Sequence, residues 1–252
     1  MTRTVLITGA TSGLGAEFAR QLAAKGADLV LVGRNSARLE HNAAQLRTAH
    51  GIHVEVLVAD LHTEAGTKDV VARLDDAGRP VTTLINNAGY GLVEPFADSP
   101  IETELDHLRI HVTVPLVLSH AALRGMRTRG GGHIINLASV AGFTPRGTYG
   151  AVKAAIISFS RWANIKYGPE GINVTAVCPG FVHTEFHQRM KVDKRSVPRW
   201  MWLNADDVVA QGLNDAARGK GVSIPSLRYK VLAAIARFAP PSIVARFAWR
   251  GR

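Results

Sequence analysis

The first 180 residues alternate short runs rich in Val, Ile and Leu with longer segments of helical periodicity. Six runs have the length and composition of strands: Thr4–Thr8, Asp28–Val32, His53–Val58, Thr83–Asn86, His133–Leu137 and Asn173–Val177. Helical spacing of apolar residues marks three of the segments between them: Gly13–Lys25, Ser36–Thr48 and Thr148–Tyr167. Strands that are apolar on both faces are typical of a parallel sheet. The pattern predicts an α/β protein with one doubly wound parallel sheet, helices on both faces and right-handed crossovers.

The amino-acid composition excludes some classes of protein. The chain has 252 residues, 46% of them hydrophobic, and a single cysteine, which excludes a disulfide-rich secreted module and favours a reducing compartment. The apolar run at the N-terminus is too short for a signal peptide or a membrane span. We therefore expect a cytoplasmic protein, at most peripheral to a membrane, with one domain over residues 1–225 and a C-terminal tail over 226–252. No metal is expected.

The positive charge is concentrated in the last part of the chain. Residues 1–185 hold 17 basic and 16 acidic residues, whereas residues 186–252 hold 13 basic and 4 acidic residues, a net charge of +9. No nucleic-acid-binding module surrounds this charge, so a nucleic-acid partner is not expected. In the tail, Leu227, Val231, Ala234, Ile235 and Phe238 recur at helical spacing before Pro240 and Pro241. Such a basic amphipathic tail suits either weak contact with an anionic membrane or a helix docked on the domain, and we weigh docking slightly higher.

A glycine-rich turn joins the first strand to the first helix. Its sequence is Thr8-Gly9-Ala10-Thr11-Ser12-Gly13-Leu14-Gly15. Backbone N–H groups of such a turn, together with the helix N-terminus, can bind a pyrophosphate. In this interpretation Gly9 permits the tight turn, Gly13 the close approach of the ligand, and Gly15 close packing. Glycines also occur in such turns for packing alone, but the strand–turn–helix context favours a dinucleotide.

The ends of the second and third strands bear on which dinucleotide would bind. An NAD site has a carboxylate about 20 residues beyond the glycines, but Arg34 stands there instead. A guanidinium suits a phosphate, so NADP(H) is favoured and NAD(H) remains possible; the alternative is a solvated surface arginine. Asp60 could accept a hydrogen bond from an adenine amino group or could cap a helix over Leu61–Val71.

Three further motifs follow at the ends of later strands. They are Asn86-Asn87-Ala88-Gly89, Leu137-Ala138-Ser139 and Tyr149-Gly150-Ala151-Val152-Lys153. With the glycine turn, these motifs resemble the short-chain dehydrogenase/reductase family over residues 4 to about 185. The resemblance implies a Rossmann fold and an oxidoreductase that uses NADP(H) or NAD(H).

The residue types themselves indicate how such a reaction would proceed. Tyr149 and Lys153 are four residues apart and so project from one face of a helix. The adjacent ammonium should lower the pKa of the phenol, so that Tyr149 can exchange a proton with a carbonyl or alcohol oxygen. Ser139 can hydrogen-bond the same oxygen.

The resemblance also assigns positions around the cofactor. Asn87 would support its adenosine side, Lys153 would reach the nicotinamide ribose, and backbone groups near Val182 would meet the carboxamide. The remaining positions implied to contact the cofactor are Thr11, Ser12, Gly13, Leu14, Leu61, Ala88, Gly89, Tyr149, Pro179, Gly180 and Thr184. A homodimer or homotetramer is implied, built through the helices that contain His111 and Tyr149.

Two departures from the family pattern are visible. His111 stands where the family usually has an Asn that holds a water near the Lys, so His111 is either part of a proton relay or a buried polar group. The interval between Ser139 and Tyr149 is a few residues shorter than usual, which should open or reshape the substrate entrance.

The substrate region is predicted to be apolar. In the family, the segment of about 183–203 forms a lid; apolar residues expected to line the pocket are Tyr90, Val140, Phe143, Phe181, Phe186, Trp200 and Trp202. Each of them could instead pack in the core. The predicted function is an NADP(H)-dependent carbonyl reductase or alcohol dehydrogenase acting on a hydrophobic ketone, steroid-like or lipid/acyl substrate, with Tyr149 as acid/base. The alternative is a non-catalytic dinucleotide sensor or membrane-peripheral scaffold on the same fold.

Overall fold

The computed structural model describes residues 3–92, 94–185 and 197–240, together with residues 242 and 244. The strands are β1 (Thr4–Thr8), β2 (Asp28–Gly33), β3 (Val54–Val58), β4 (Thr83–Asn86), β5 (Gly132–Leu137), β6 (Ile172–Val177), β7 (Phe181–Val182), β8 (Trp202–Leu203) and β9 (Val222–Ser223). Seven of them form one parallel sheet in the order β3-β2-β1-β4-β5-β6-β9. Strands β7 and β8 form a separate parallel pair. The six strands predicted from sequence are confirmed to within one residue at each end.

The helices are α1 (Gly13–Ala23), α2 (Ser36–His50), α3 (Glu64–Asp75), α4 (Ile101–Leu108), α5 (Val114–Arg129), α6 (Gly147–Tyr167), α7 (Ala205–Ala217) and α8 (Leu227–Phe238). Helix α2 begins where the Asn35 side chain accepts the Arg38 N–H, and it ends at Gly51 in the left-handed conformation, φ 64°. The alternative prediction that Asp60 caps the next helix is wrong. Thr63 caps α3 by accepting the Gly66 N–H, whereas Asp60 accepts the His62 N–H in the preceding turn.

Alternating residues of the central strands face opposite layers of helices. In β1, Leu6 packs in a cluster with residues of α3 and α5, whereas Val5 and Ile7 pack in a second cluster with residues of α1 and α2. All three of these strand residues are fully buried. Burial on both faces is the physical reason that Val, Leu and Ile fill the middle of β1 and β2.

A five-residue π-helical turn, Arg109–Thr113, connects α4 to α5. Pro115 follows it and has no N–H to donate to the carbonyl of His111 four residues earlier. The Val114 N–H instead reaches back five residues to the Arg109 carbonyl. The wider turn lies at the position of His111, and π-turns of this kind are frequent at functional sites.

The described part of the tail is a docked helix. Tyr229 of α8 is 3% exposed, and its hydroxyl accepts the Phe181 N–H at 3.1 Å and donates to the Met201 carbonyl at 2.7 Å. Arg228 donates to the carbonyls of Trp200 and Trp202. Helix α8 is thus joined to the β7–β8 pair by hydrogen bonds. Most of the tail beyond Pro240 lies outside the described residues.

Because all seven strands of the sheet are parallel, their carboxyl ends meet at one edge. From β1 the chain continues to β2 and β3 on one side of the sheet, whereas from β4 it continues to β5 and β6 on the other side. The change of direction between β1 and β4 leaves a crevice, which is where open α/β sheets bind ligands.

Candidate active site

A cavity of about 680 Å³ runs along this crevice. Most of the residues predicted to contact a cofactor line it: Gly9, Thr11, Ser12, Gly13, Leu14, Arg34, Asp60, Leu61, Asn87, Ala88, Gly89, Tyr149, Lys153, Pro179, Gly180, Val182 and Thr184. Ser139 and His111 line it as well. Residues from six strand ends are therefore brought to one elongated cavity.

The glycine turn is held tightly against the end of β4. Gly9 has φ +66°, and a Cβ at this position would lie 2.9 Å from the Ala88 Cα. Gly15 does not line the cavity; a Cβ there would lie 2.3 Å from the Gly9 carbonyl oxygen, so its role is packing. Asn87 donates to the carbonyls of Thr8 and Gly9 at 2.9 and 3.1 Å. Asn87 thereby fixes the shape of the turn.

The residues around the turn fit a dinucleotide. Gly13 begins α1 with φ +57°, no acidic residue lies in the first turn of the helix, and the Ser12 side chain does not cap it. The helix N-terminus can therefore direct its N–H groups and partial positive charge at a pyrophosphate. Arg34 lines the cavity at the end of β2 with an exposed side chain, at the place where a 2′-phosphate is recognised in folds of this type.

Ser139, Tyr149 and Lys153 converge at the other end of the cavity. Ser139 follows β5 and Tyr149 lies in the first turn of α6; their hydroxyls are hydrogen-bonded to each other. The Ser139 hydroxyl also accepts the Ala141 N–H at 3.1 Å, which fixes its orientation. The Lys153 ammonium lies 5.7 Å from the centre of the Tyr149 ring and donates to the Leu137 carbonyl at 2.6 Å.

The expected lowering of the Tyr149 pKa is wrong for the free protein. Burial raises the pKa of the phenol to about 12, against smaller opposite effects of the Ser139 hydrogen bond and of Arg146. Burial also lowers the pKa of Lys153 to about 7. The neighbouring ammonium thus carries only part of a charge near neutral pH. The phenol keeps its proton at neutral pH, which is the state that a proton donor to a carbonyl oxygen requires.

His111 is bound to the backbone of the β4 loop. Its Nε2 lies 2.6 Å from the Tyr90 carbonyl oxygen, and a Cβ on Gly89 would come within 2.3 Å of its Cε1. Its ring is perpendicular to that of Tyr149, with centroids 5.9 Å apart, and it contacts the His107 ring at 4.5 Å. Burial and the nearby Lys153 hold the pKa of His111 well below its usual value, so the imidazole is neutral.

The residues predicted to form the substrate walls fall into two groups, those that line the cavity and those that do not. Tyr90, Val140 and Phe181 line the cavity, whereas Phe143, Trp200 and Trp202 lie outside its lining. Phe143 packs at the edge of a core cluster, Trp202 is buried and stacked on His183, and Trp200 is 57% exposed. The rings of Phe143 and Trp202 and the carbonyl of Trp200 contact other parts of the chain. Phe186 and most of the predicted lid lie outside the described residues.

Several residues around the site were missed by the sequence analysis. Arg146 lines the cavity with its guanidinium 5.5 Å above the Phe181 ring, and His62 and His107 surround Tyr90. The only sequence signal for these residues was their nearness in the chain to recognised motifs.

No group of three or more His, Cys, Asp or Glu side chains in the described ranges is arranged to hold a metal ion. None of the helices in those ranges has both the length and the hydropathy to cross a membrane.

Comparison with known proteins confirms the family that the sequence motifs resemble. A family model described as short chain dehydrogenase matches residues 3–195. A ketoacyl reductase of Nostoc sp. is 28% identical over 260 residues, which covers 99% of this chain and 89% of that protein. A short-chain dehydrogenase from Sphingobium yanoikuyae, solved in complex with NADPH, has a TM-score of 0.86 and 36% identity, with 92% of each chain covered. A bulky-bulky ketone specific alcohol dehydrogenase from Comamonas testosteroni has a TM-score of 0.81 and 31% identity, with 92% of this chain and 91% of that chain covered.

Proposed function

Because this chain belongs to the short-chain dehydrogenase family of oxidoreductases, we propose that it is an NADP(H)-dependent carbonyl reductase or alcohol dehydrogenase acting on a hydrophobic substrate. The observation that carries the proposal is the convergence of Ser139, Tyr149 and Lys153 at one end of a dinucleotide-shaped cavity. When bound, the cofactor supplies or accepts the hydride at its nicotinamide. The non-catalytic alternative explains the glycine turn but gives no role to these three polar side chains.

Each polar side chain has a distinct role in this proposal. Tyr149 donates its hydroxyl proton to the carbonyl oxygen during reduction and takes a proton from the alcohol during oxidation. Ser139, oriented by the Ala141 N–H, hydrogen-bonds the same oxygen. Lys153, anchored on the Leu137 carbonyl, holds its amino group beside the Tyr149 ring and adds positive charge there when protonated.

The decisive test uses two tyrosines of the same helix. Purified protein should oxidise NADPH in the presence of hydrophobic ketones, and Tyr149→Phe should lower kcat by about 100-fold or more, the scale of a lost general acid. Tyr167→Phe, at the far end of α6 beside Trp162, should leave kcat within about twofold because that ring is remote from the cavity. NADPH binding without turnover of any ketone, or full activity of Tyr149→Phe, would overturn the proposal.

The preference for NADP(H) rests on Arg34. Its guanidinium lies at the end of β2, where a carboxylate would select the free ribose of NAD(H). Arg34→Ala should weaken NADPH binding about tenfold or more while changing NADH binding little, because one charged contact to phosphate is lost. The exposed Arg218, at the C-terminal end of α7, supplies the control Arg218→Ala, and equal losses for both cofactors would refute the contact.

A hydrophobic substrate is supported by the walls near Tyr149. Val140, Phe181, Tyr90 and Leu92 line that end of the cavity. One matched structure is described as a bulky-bulky ketone specific alcohol dehydrogenase and one relative as a ketoacyl reductase, and both descriptions name carbonyl compounds. A steroid-like ring or a lipid/acyl chain with one carbonyl would present an apolar body to these residues and its oxygen to Tyr149.

We propose that His111 positions the site and does not relay protons. Its Nε2 lies within hydrogen-bond distance of both the Tyr90 N–H and the Tyr90 carbonyl oxygen, and its ring is neutral and buried, so this nitrogen holds the loop Gly89–Tyr90. His111→Asn should preserve part of this hydrogen bonding and raise KM with little change in kcat, whereas His111→Ala should raise KM further. A loss confined to kcat, with an altered pH profile, would favour the relay.

The proposed assembly and location rest on exposed apolar residues and on the single cysteine. Exposed apolar residues lie on α4, α5 and α6: Leu105, Leu108, Leu116, Val117, Trp162 and Ile165. A homodimer or homotetramer through the helices that carry His111 and Tyr149 would cover them. The buried free thiol of Cys178 is compatible with a cytoplasmic, reducing location.

A further inference from the structure

Helix α8 has two apolar faces, and among the residues that the structure describes only one of them packs against the rest of the fold. Tyr229 and Ala233 form the inner face and are 3% and 8% exposed. Leu227, Val231, Ile235 and Phe238 form the outer face, at spacings of four, four and three residues, and are between 51% and 84% exposed. At about 100° per residue, the outer stripe lies opposite the inner face. A helix that is docked on one side thus presents a continuous apolar stripe on the other.

Positive charges flank the outer stripe on both sides. Arg228 lies on one edge of it, and Lys230 and Arg237 lie on the other, as their helical positions require. The sequence contains no acidic residue after Asp215. An apolar stripe with cations along both edges is typical of helices that lie in the headgroup layer of a membrane.

A second copy of the chain is a poorer partner for this face. Two such helices placed stripe to stripe would bring six cations together without a carboxylate on either helix to pair with them. An anionic surface, by contrast, attracts each of these cations while it takes up the apolar side chains. Trp200, 57% exposed and joined to Arg228 through its carbonyl, adds an aromatic ring of the kind that favours the headgroup level.

We infer that the outer face of α8 is a docking surface for an anionic phospholipid bilayer, which the helix contacts in the plane of the headgroups without entering the bilayer core. Docking on the domain and contact with lipid then use opposite faces of one helix. The helix is also part of the site: Tyr229 is hydrogen-bonded to the backbone of Phe181, which lines the cavity. The surface that meets the lipid is therefore one helix thickness from the wall of the substrate pocket.

The experiment is co-sedimentation of the full chain with vesicles of phosphatidylcholine alone or of phosphatidylcholine and phosphatidylglycerol at seven to three. The variant is Val231→Gln with Phe238→Gln, which makes the outer stripe polar and leaves Tyr229 in place. The matched control is Val58→Gln with Phe96→Gln, because Val58 and Val231 are 48% and 51% exposed and Phe96 and Phe238 are 62% and 84% exposed. Turnover of NADPH with a ketone reports that each variant is folded.

The chain should bind the anionic vesicles at least tenfold more tightly than the neutral ones, and less tightly as salt is raised. The α8 variant should lose at least tenfold in binding, and the control should remain within about twofold. Equal binding to both vesicle types, equal binding by variant and parent, or no binding at all would overturn the inference. A change in oligomeric state in the α8 variant, without vesicle binding by the parent, would show instead that the face joins two copies of the chain.

Discussion

Replacing Lys153 with Met should make the protein more stable near neutral pH while removing its activity. Lys153 is 5% exposed, and burial lowers its pKa from 10.5 to about 7. The unfolded chain therefore binds more protons than the folded protein between about pH 7 and pH 10.5, so the free energy of unfolding rises with pH across this window. Below about pH 7 both states are protonated and the full penalty applies. Met has a similar length and removes the titrating group.

The size of the change in the free energy of unfolding follows from the pKa shift of Lys153. A difference of about 3.5 pKa units at about 1.4 kcal/mol each gives a penalty of about 5 kcal/mol at low pH. Of this, about 3 kcal/mol is recovered between about pH 7.5 and pH 10. Met cannot make the 2.6 Å hydrogen bond that Lys153 donates to the Leu137 carbonyl, and this loss lowers the free energy of unfolding by about 1–3 kcal/mol at every pH. The net gain near pH 7.5 is then about 1–3 kcal/mol, and it vanishes or reverses near pH 10.

Urea unfolding of the free protein at several pH values measures this directly. The parent should gain stability from about pH 7.5 to pH 10, and Lys153→Met should show a profile flatter by about 3 kcal/mol. Lys166→Met, at an exposed position of the same helix, is the control and should follow the parent. Parallel profiles for the parent and Lys153→Met would refute the reasoning, because the ammonium would then be as stable in the folded protein as in water.

Three further outcomes are expected. Tyr229→Phe removes the acceptor of the Phe181 N–H and should lower the free energy of unfolding by about 1–3 kcal/mol in urea and weaken substrate binding, whereas an unchanged midpoint would contradict the docked helix. Gly89→Ala should destabilise the protein because its Cβ would meet the His111 ring at 2.3 Å, and Gly89→Ala with His111→Ala should recover part of that loss; strictly additive midpoints would exclude the contact. In an ultraviolet difference titration of the free protein against Tyr149→Phe, the Tyr149 phenol should ionise above the ordinary range for tyrosine, as its raised pKa requires, and ionisation near pH 10 would count against its burial.

The parts of the structure that sequence predicted are those in which neighbours in the chain are also neighbours in space. The strand Thr4–Thr8 and the glycine turn after it form one local unit, and the pair Tyr149–Lys153 shares one helical face. Their positions could be inferred because hydrophobic period, turn chemistry and helix geometry act over a few residues.

What sequence could not predict depends on contacts between distant segments. Tyr229 reaches Phe181 across 48 residues, and no local pattern distinguishes it from any tyrosine on an amphipathic helix. The direction of the Tyr149 pKa shift failed for the same reason. Spacing showed that the Lys153 ammonium lies near Tyr149. Only the folded packing shows that desolvation has the larger effect on the Tyr149 pKa, and that desolvation also lowers the pKa of Lys153 so that the amine is partly neutral.

The opposite shifts of Tyr149 and Lys153 have a common consequence for the chemistry. Each group is held toward its uncharged form, so near pH 8 the free protein presents a protonated phenol and a largely neutral amine. A carbonyl oxygen that gains negative charge as hydride arrives offers the phenol proton a favourable destination. The phenolate that remains then favours protonation of Lys153, since an opposite charge nearby raises the pKa of an amine. Burial makes the phenol a weaker acid in the free protein, so proton transfer to the substrate depends on the negative charge on the substrate oxygen and on the charge that Lys153 gains as the phenolate forms.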